Sequence, residues 1–186
     1  MSSWFETCVH VVRHSLVIIG VLVVGGIVGG LVLMYSGLFD VAASVTDSSV
    51  LRWALVTVRE SSIKLHARDV VAPLDKMVAD TDNGFVLYRQ NCAMCHTPIG
   101  RTPTFMAAGF NPKAPAFDNP DDVMAPMEWF WVIKQGIRFT GMPAWGPSLT
   151  DKEIWDVTAF LPKLSDLKAT GYDALDKRIP ETTALP

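Results

Sequence analysis

Apolar positions concentrate near the N-terminus, where one long run has no fully charged side chain. The 25 residues from Ser15 to Phe39 are mostly Leu, Val, Ile and Gly, with Arg13 and His14 before them and Asp40 after them. As a helix they would extend about 37 Å, more than the roughly 30 Å hydrocarbon core of a bilayer. The pattern predicts a transmembrane helix at 15–39, preceded by a short N-terminus at 1–14.

A secretory signal peptide is the alternative interpretation of this run. Its apolar region would be about 7–15 residues long, which is shorter than the run observed. The stretch Val41-Ala42-Ala43 could nevertheless serve as a cleavage site. We expect an uncleaved anchor.

Residues 48–68 show the periodicity of a second, amphipathic helix. One face carries Leu51, Ala54, Leu55, Val58 and Leu65, and the other carries Arg52, Arg59, Glu60, Lys64 and Arg68. This pattern suits a helix on a phospholipid surface or against a partner. Docking on its own domain is the alternative. A linker is predicted from Asp69 to Asp82. Segment 40–82 thus contains this amphipathic helix and the linker.

The remaining pattern predicts an all-α domain at 83–164 and a polar tail at 165–186. Thr150 and Glu153 have the spacing of a capping box that opens a helix, which we expect to stop near Pro162. Met127–Gly136 predicts an aromatic-rich helix. The intervening 97–126 predicts an extended loop because it holds six prolines, Pro98, Pro103, Pro112, Pro115, Pro120 and Pro126.

Composition narrows the class of protein. Hydrophobic residues make up 49% and charged residues 19%, which fits one membrane segment plus one soluble domain. The formal net charge of −3 argues against a basic nucleic-acid-binding protein, so we expect no nucleic acid partner. Three cysteines are too few for a disulfide scaffold.

The motif that decides the chemistry is Cys92-Ala93-Met94-Cys95-His96. Cys-x-x-Cys-His is the attachment signature of c-type haem: two thiols can add to the two vinyl groups of one porphyrin, and the adjacent His can ligate the iron. A redox disulfide would have no use for His96. A zinc site would need a second ligand pair, and the remaining cysteine, Cys8, precedes the apolar run.

The second axial ligand is predicted to be a methionine, since His66 precedes the domain and His10 and His14 precede the membrane segment. Met142 lies in Gly-Met-Pro, where the proline stiffens the chain. Met106, Met124 and five-coordinate iron remain alternatives. The predicted metal ligands are therefore His96 and Met142.

The sequence resembles membrane-anchored monohaem class I cytochromes c, and is similar to the cytochrome c domain of cbb3-type oxidase subunit III. The matching motifs lie between about Asp80 and Leu164. They are Gly84-x-x-x-Tyr88-x-x-x-Cys92-x-x-Cys95-His96, Gly141-Met142-Pro143-Ala144-Trp145-Gly146 and Leu149-Thr150-Asp151-Lys152-Glu153-Ile154-Trp155. Relatives usually have Gly after the haem His, where this chain has Thr97.

The resemblance implies a class I cytochrome c domain behind an N-terminal transmembrane helix, with one covalent haem c. It also places the ligand at Met142 and implies that the Pro115 carbonyl accepts the second N–H of His96. Trp145 and Arg138 could contact haem propionates. Their alternatives are plain packing for Trp145 and a solvated surface charge for Arg138.

The same resemblance implies a single-pass protein of a bacterial inner membrane, with residues 1–14 in the cytoplasm and the cytochrome domain in the periplasm. Iron closed on both faces can change only its oxidation state, so we expect a carrier of single electrons rather than an enzyme. Residues 69–186 have 11 Lys and Arg against 15 Asp and Glu, a net charge of −4, which does not resemble a lysine-ringed docking surface.

Redox proteins are the expected partners. Gly25/Gly29 and Gly26/Gly30 are small-xxx-small pairs that permit close helix packing in lipid, so we expect a subunit of a respiratory or other redox complex. The alternatives are a free membrane-tethered shuttle and, in a different class, an open-site haem peroxidase or gas sensor.

Overall fold

The computed structural model describes residues 2–72, 79–117, 124–167 and 169–179, which fall into two units, 1–45 and 46–186. Within the described part, every regular element is helical and no strand occurs. Helices form because apolar residues recur at helical spacing and because polar residues cap the first turns. The two units are described separately.

The first unit is dominated by one helix, α1, at Ser2–Ser36. Its stretch Thr7–Ser36 has 30 residues with a mean hydropathy of 2.9 and is long and apolar enough to cross a membrane. The predicted span of 15–39 therefore overlaps α1, but the helix ends three residues earlier. It ends there because Gly37 adopts a left-handed conformation (φ 70°).

The second unit begins with α2 at Ser49–His66, where the Ser48 side chain accepts a hydrogen bond from the Leu51 amide. A 3₁₀ turn follows at Ala67–Asp69. The predicted linker continues into residues 73–78, which include Pro73 and lie outside the described residues. Helix α2 and the 3₁₀ turn both pack on α5, and their residues Ile63 and Ala67 are buried.

Helix α3 at Thr81–Leu87 continues into a π-helical turn at Tyr88–Cys92. The short helix α4 at Phe105–Gly109 interrupts the predicted extended loop, because Thr104 caps its first turn. Of the six prolines in that loop, Pro120 lies outside the described residues. Helix α5 spans Pro126–Gln135 and ends at Gly136, one residue from the predicted bounds.

Helix α6 spans Asp151–Asp166 and begins at the predicted capping box. Thr150 and Glu153 exchange backbone-to-side-chain hydrogen bonds of 2.7 and 3.3 Å. The predicted stop near Pro162 is wrong, because the helix continues for four more residues. Proline removes one hydrogen bond, but continuing the helix buries Leu164 to 1% exposure, and that apolar burial offsets the loss.

The core lies where α3 crosses α6. Gly84 faces the Asp156 carbonyl and the Phe160 side chain at a distance that leaves no room for a Cβ. Trp155 of α6 stacks on Phe130 of α5, with ring centroids 4.4 Å apart. Asp156 is fully buried and accepts hydrogen bonds from the Asp80 amide, the Asn83 side chain and Lys152.

Packing continues beyond the predicted domain end at 164. Helix α7 spans Ala169–Arg178, and its Tyr172 is buried against Phe85 and Tyr88 with ring separations of 5.4 and 6.5 Å. Arg101 pairs with Asp173 at 2.5 Å and Arg89 with Asp176 at 2.8 Å. The segment predicted as a polar tail therefore contributes to the core, and its last residues, 180–186, lie outside the described part.

Candidate functional site

The Cys-x-x-Cys-His segment follows directly from the π-helical turn that ends at Cys92. The amides of Cys95 and His96 both donate to the Cys92 carbonyl, at 3.0 and 2.8 Å. These bonds close one tight turn, so both thiols and the imidazole belong to the same short structural unit. Cys92 and Cys95 are half-buried and present as free thiols.

His96 is oriented through one of its ring nitrogens. Its Nδ1 lies 2.8 Å from the carbonyl oxygen of Pro115, which can only accept, so Nδ1 carries the hydrogen. Nε2 is then the basic nitrogen with a free lone pair. Burial lowers the pKa of His96 and so favours the neutral ring, an effect that the bond to Pro115 partly offsets. A neutral imidazole held by a carbonyl is the usual arrangement of a metal-ligating histidine.

Phe117 packs against the same imidazole. The two rings are stacked with centroids 4.7 Å apart, and Phe117 also makes a T-shaped contact with Trp129 at 5.2 Å. Phe117 has a left-handed backbone (φ 56°), which is uncommon for a bulky residue and marks a constrained position. The sequence did not reveal this contact, because no spacing rule links a proline-rich loop to a particular ring.

Tyr88 holds the backbone of His96 from inside the core. Its phenol donates a 2.6 Å hydrogen bond to the His96 carbonyl, and the side chain is fully buried. Burial raises the pKa of Tyr88 well above its ordinary value, so the phenol remains a donor. The spacing of Tyr88 in the motif does not by itself reveal this bond.

The thiols sit in an apolar setting. Burial, with a contribution from Cys95, raises the pKa of Cys92 to about 12, and burial raises the pKa of Cys95 as well. The Cys95 thiol donates toward the Met106 sulfur at 3.6 Å. Within the described ranges no group of three or more His, Cys, Asp or Glu side chains could hold a metal ion, so the zinc alternative gains no support.

Met142 occupies a fixed loop between α5 and α6. The Ile137 amide donates to the Met142 carbonyl at 3.1 Å, and the Met142 amide donates to Thr140 Oγ1 at 3.1 Å. Gly136 is left-handed (φ 68°), and a Cβ there would lie within 2.8 Å of three backbone atoms of residues 142–144. The loop therefore has little freedom, and Met142 packs half-buried against the core cluster that also contacts Cys92.

The other methionine candidates have different surroundings. Met106 contacts the sulfur of Cys95, on the attachment side of the motif, and Met124 is half-buried at the start of the segment before α5. Neither is held by a loop comparable to the one that carries Met142. Met142 thus remains the predicted second ligand.

The two predicted propionate contacts differ in how they are held. Trp145 is half-buried against the core, and its amide donates to the Ile133 carbonyl at 3.0 Å. Arg138 is exposed and makes no ion pair with any residue that the structure describes. Trp145 is therefore held near Met142 by the backbone and the core, whereas exposure is all that the described part of the chain shows for Arg138.

Taken as a donor set, these residues fit haem c. Two thiols on one turn suit two vinyl groups, the oriented His96 imidazole suits one axial position, and the Met142 thioether suits the other. The aromatic surroundings of Phe117, Trp129 and Trp145 suit a large apolar macrocycle.

Comparison with known proteins agrees with this chemistry. The family model described as "Cytochrome C oxidase, cbb3-type, subunit III" matches residues 79–161. The curated proteins and the solved structures gave no match. The match includes the thiols, His96, Pro115, Met142 and the α3–α6 crossing, and the helical fold agrees with it. Residues 79–161 of this chain are thus a class I cytochrome c domain of the cbb3-type oxidase subunit III family.

Proposed function

We propose that this chain is a membrane-anchored c-type cytochrome that carries single electrons at the periplasmic face of a bacterial inner membrane. The observation that supports this most strongly is the bond from His96 Nδ1 to the Pro115 carbonyl, in the residue that directly follows Cys95. That bond reserves Nε2 for a metal. A cytochrome c family implies haem and electron transfer.

In this proposal Cys92 and Cys95 hold one haem c through thioether bonds, and His96 and Met142 ligate its iron. Bound haem supplies a reversible one-electron change between ferrous and ferric iron. Met and His together favour a higher reduction potential than two nitrogen ligands. Trp145 and Arg138 would contact the propionates through an indole N–H and a guanidinium.

The chain's own contribution is to keep both axial side chains in place. Tyr88 and Pro115 fix His96, and the loop from Gly136 fixes Met142. With both positions taken by side chains, no coordination site is left for a substrate. We therefore propose an electron-transfer protein, not an enzyme in its own right.

The proposed orientation follows from where haem is attached in such cytochromes, outside the cytoplasm. Helix α1 can span a membrane by length and hydropathy. Residues after α1 would then be periplasmic, and residues 1–14 cytoplasmic.

We propose further that the cytochrome is a subunit of a redox complex, as the family description suggests. Gly25 and Gly29 have nothing within 4 Å of their missing Cβ positions, so this face of α1 is open to a close-packed neighbouring helix. The alternative is a free membrane-tethered shuttle.

Co-purification from native membranes in mild detergent tests membership of a complex. Partner proteins should co-purify with the wild-type chain and be lost from Gly25→Leu/Gly29→Leu. Gly20→Leu is the matched control, since Gly20 is equally open but lies on a different face of the helix. If nothing co-purifies with the wild type, the free shuttle is correct.

Carbon monoxide binding tests the closed iron site. The reduced protein should bind carbon monoxide slowly or not at all, because Met142 must first leave. Rapid binding would support an open-site peroxidase or gas sensor instead.

A further inference from the structure

Helix α2 has two apolar faces, and its own domain covers one of them. Ile63 and the following Ala67 are 5% and 4% exposed where they pack toward α5. The His66 ring stacks on Trp131 of α5 with centroids 5.5 Å apart. This side of α2 is therefore fixed on the cytochrome domain.

The opposite face is mainly apolar and largely exposed, with Ser61 as the polar residue inside it. At 100° per residue, Val50, Ala54, Val58 and Leu65 fall within one arc of about 80°. Val50, Val58 and Leu65 are 72%, 66% and 51% exposed, and Trp53 beside them is 69% exposed. We name the set Val50, Val58 and Leu65 the free face, and Trp53 lies at its margin. The domain cannot cover it without releasing Ile63 and Ala67.

We propose that the free face binds the surface of an anionic phospholipid bilayer, the same bilayer that anchors α1. The inference rests on the proposed membrane anchor. Only residues 37–48 separate the end of α1 from the start of α2, so α2 lies within about 40 Å of the end of α1 along the chain. A tether this short keeps α2 at high local concentration near the headgroups.

The distribution of charge also favours an anionic bilayer as the surface that the free face binds. Residues 48–68 have four Lys and Arg against one Glu, whereas residues 69–186 have a net charge of −4. Anionic headgroups therefore attract α2 and repel the rest of the domain. Helix α2 is about 10–12 Å wide, so even Arg52 and Arg59 on its far side stay within about one Debye length of the headgroups.

The side chains at the margin of the free face also suit an interface. Trp53 and Lys64 lie on the same side of it, and Trp and Lys both place an apolar body in lipid and a polar end in water. Docked in this way, α2 would hold α5 above it and restrict rotation of the cytochrome domain relative to the membrane. A restricted domain would present one side to its redox partner.

The test uses the full-length holoprotein in a Cys8→Ser background, reconstituted in phosphatidylcholine vesicles with one-third phosphatidylglycerol. Nitroxide labels are placed at Val58→Cys and Leu65→Cys, and at Glu60→Cys as the control, which lies about 140–160° around α2 from both. Power-saturation spectroscopy compares relaxation by oxygen, which partitions into lipid, with relaxation by a water-soluble nickel chelate.

We expect the ratio of oxygen to nickel accessibility at 58 and 65 to exceed that at 60 several-fold, and to rise with the phosphatidylglycerol content. Equal ratios at all three positions would show an uncovered, wet face and overturn the proposal. Labels at 58 and 65 that are immobile and inaccessible to both reagents would show that a protein partner or second copy covers it, which also overturns it.

Two further readouts separate this inference from the proposed function. A label at Val21→Cys reports whether α1 lies in lipid, and the haem spectrum reports whether the cytochrome is intact. Lipid exposure at 21 with normal haem but a wet label at 58 would refute only the docking of α2. A wet label at 21 would refute the anchor itself.

Discussion

The phenol of Tyr88 and the backbone carbonyl of His96 are joined by a 2.6 Å hydrogen bond inside the core. Tyr88 belongs to the π-helical turn before the thiols, and His96 ends the motif. The bond therefore closes a loop of the chain that contains both attachment cysteines. Because of this closure, the position of His96 depends on core packing as well as on the haem.

Replacing Tyr88 by Phe should lower the free energy of unfolding by about 1–3 kcal/mol, because the buried carbonyl loses its donor. Denaturant unfolding of the holoprotein measures this. Tyr172→Phe is the control, since its hydroxyl has no hydrogen-bond partner within the described residues. Equal effects of the two substitutions would show that the bond contributes nothing.

Replacing Gly84 by Ala should be far more disruptive than its size suggests. A Cβ there would collide with the Asp156 carbonyl and lie 2.9 Å from Phe160 Cβ, so α3 and α6 would have to separate. We expect a loss of about 3 kcal/mol or failure to accumulate holoprotein. Gly109→Ala, in open space, should be nearly neutral. A fully stable Gly84→Ala protein would contradict the observed crossing.

Helix α7 should contribute to stability through its Asp176. Its partner Arg89 is only 14% exposed in its side chain and also donates to the Ile179 carbonyl at 2.9 Å. Asp176→Asn should cost about 1–3 kcal/mol, because a largely buried guanidinium loses its charge partner. Asp173→Asn breaks an exposed pair and should cost less than about 1 kcal/mol. The reverse order, measured by denaturant unfolding, would contradict the packing of α7.

Alkaline pH should destabilise the domain through Tyr172. Burial, and secondarily Asp176, raises the pKa of Tyr172 to about 12, while Arg89 and Arg101 oppose the shift. The folded state holds this proton more tightly than the unfolded state, so the stabilisation is complete below about pH 10 and is lost as pH rises toward 12. The wild type should therefore lose stability relative to Tyr172→Phe across that interval, and parallel profiles would refute the assignment.

Met142→Ala should leave the haem attached but open one axial position. We expect loss of the weak far-red band of an iron–thioether bond, a lower reduction potential and rapid carbon monoxide binding. Met106→Ala is the matched control and should retain all three wild-type properties. If the two variants behave in the opposite way, Met106 is the ligand.

The parts of the fold that follow local rules were predictable from the sequence. The Thr150–Glu153 capping box and the predicted Met127–Gly136 boundaries depend on neighbouring residues, and the structure agrees to within about one residue. The passage of α6 through Pro162 was not predictable, because it depends on the burial of Leu164 by distant elements.

Long-range contacts explain the rest of what the sequence did not show. Helix α7 looked uninformative, since it has few apolar residues, yet Tyr172 fills the core and two aspartates meet arginines remote in sequence. The stacking of Phe117 on His96 likewise joins a loop to the motif. The thiols and His96 could be singled out as a set because their chemistry lies within five consecutive residues.

The most direct test of the whole account is whether pigment stays on the polypeptide after acid–acetone extraction of protein made in cells able to mature c-type cytochromes. A pyridine haemochrome spectrum should then show one covalent haem per chain, lost in Cys92→Ser/Cys95→Ser. Complete extraction of the pigment from the wild-type chain, or no pigment at all, would contradict the assignment of this domain as a haem c carrier.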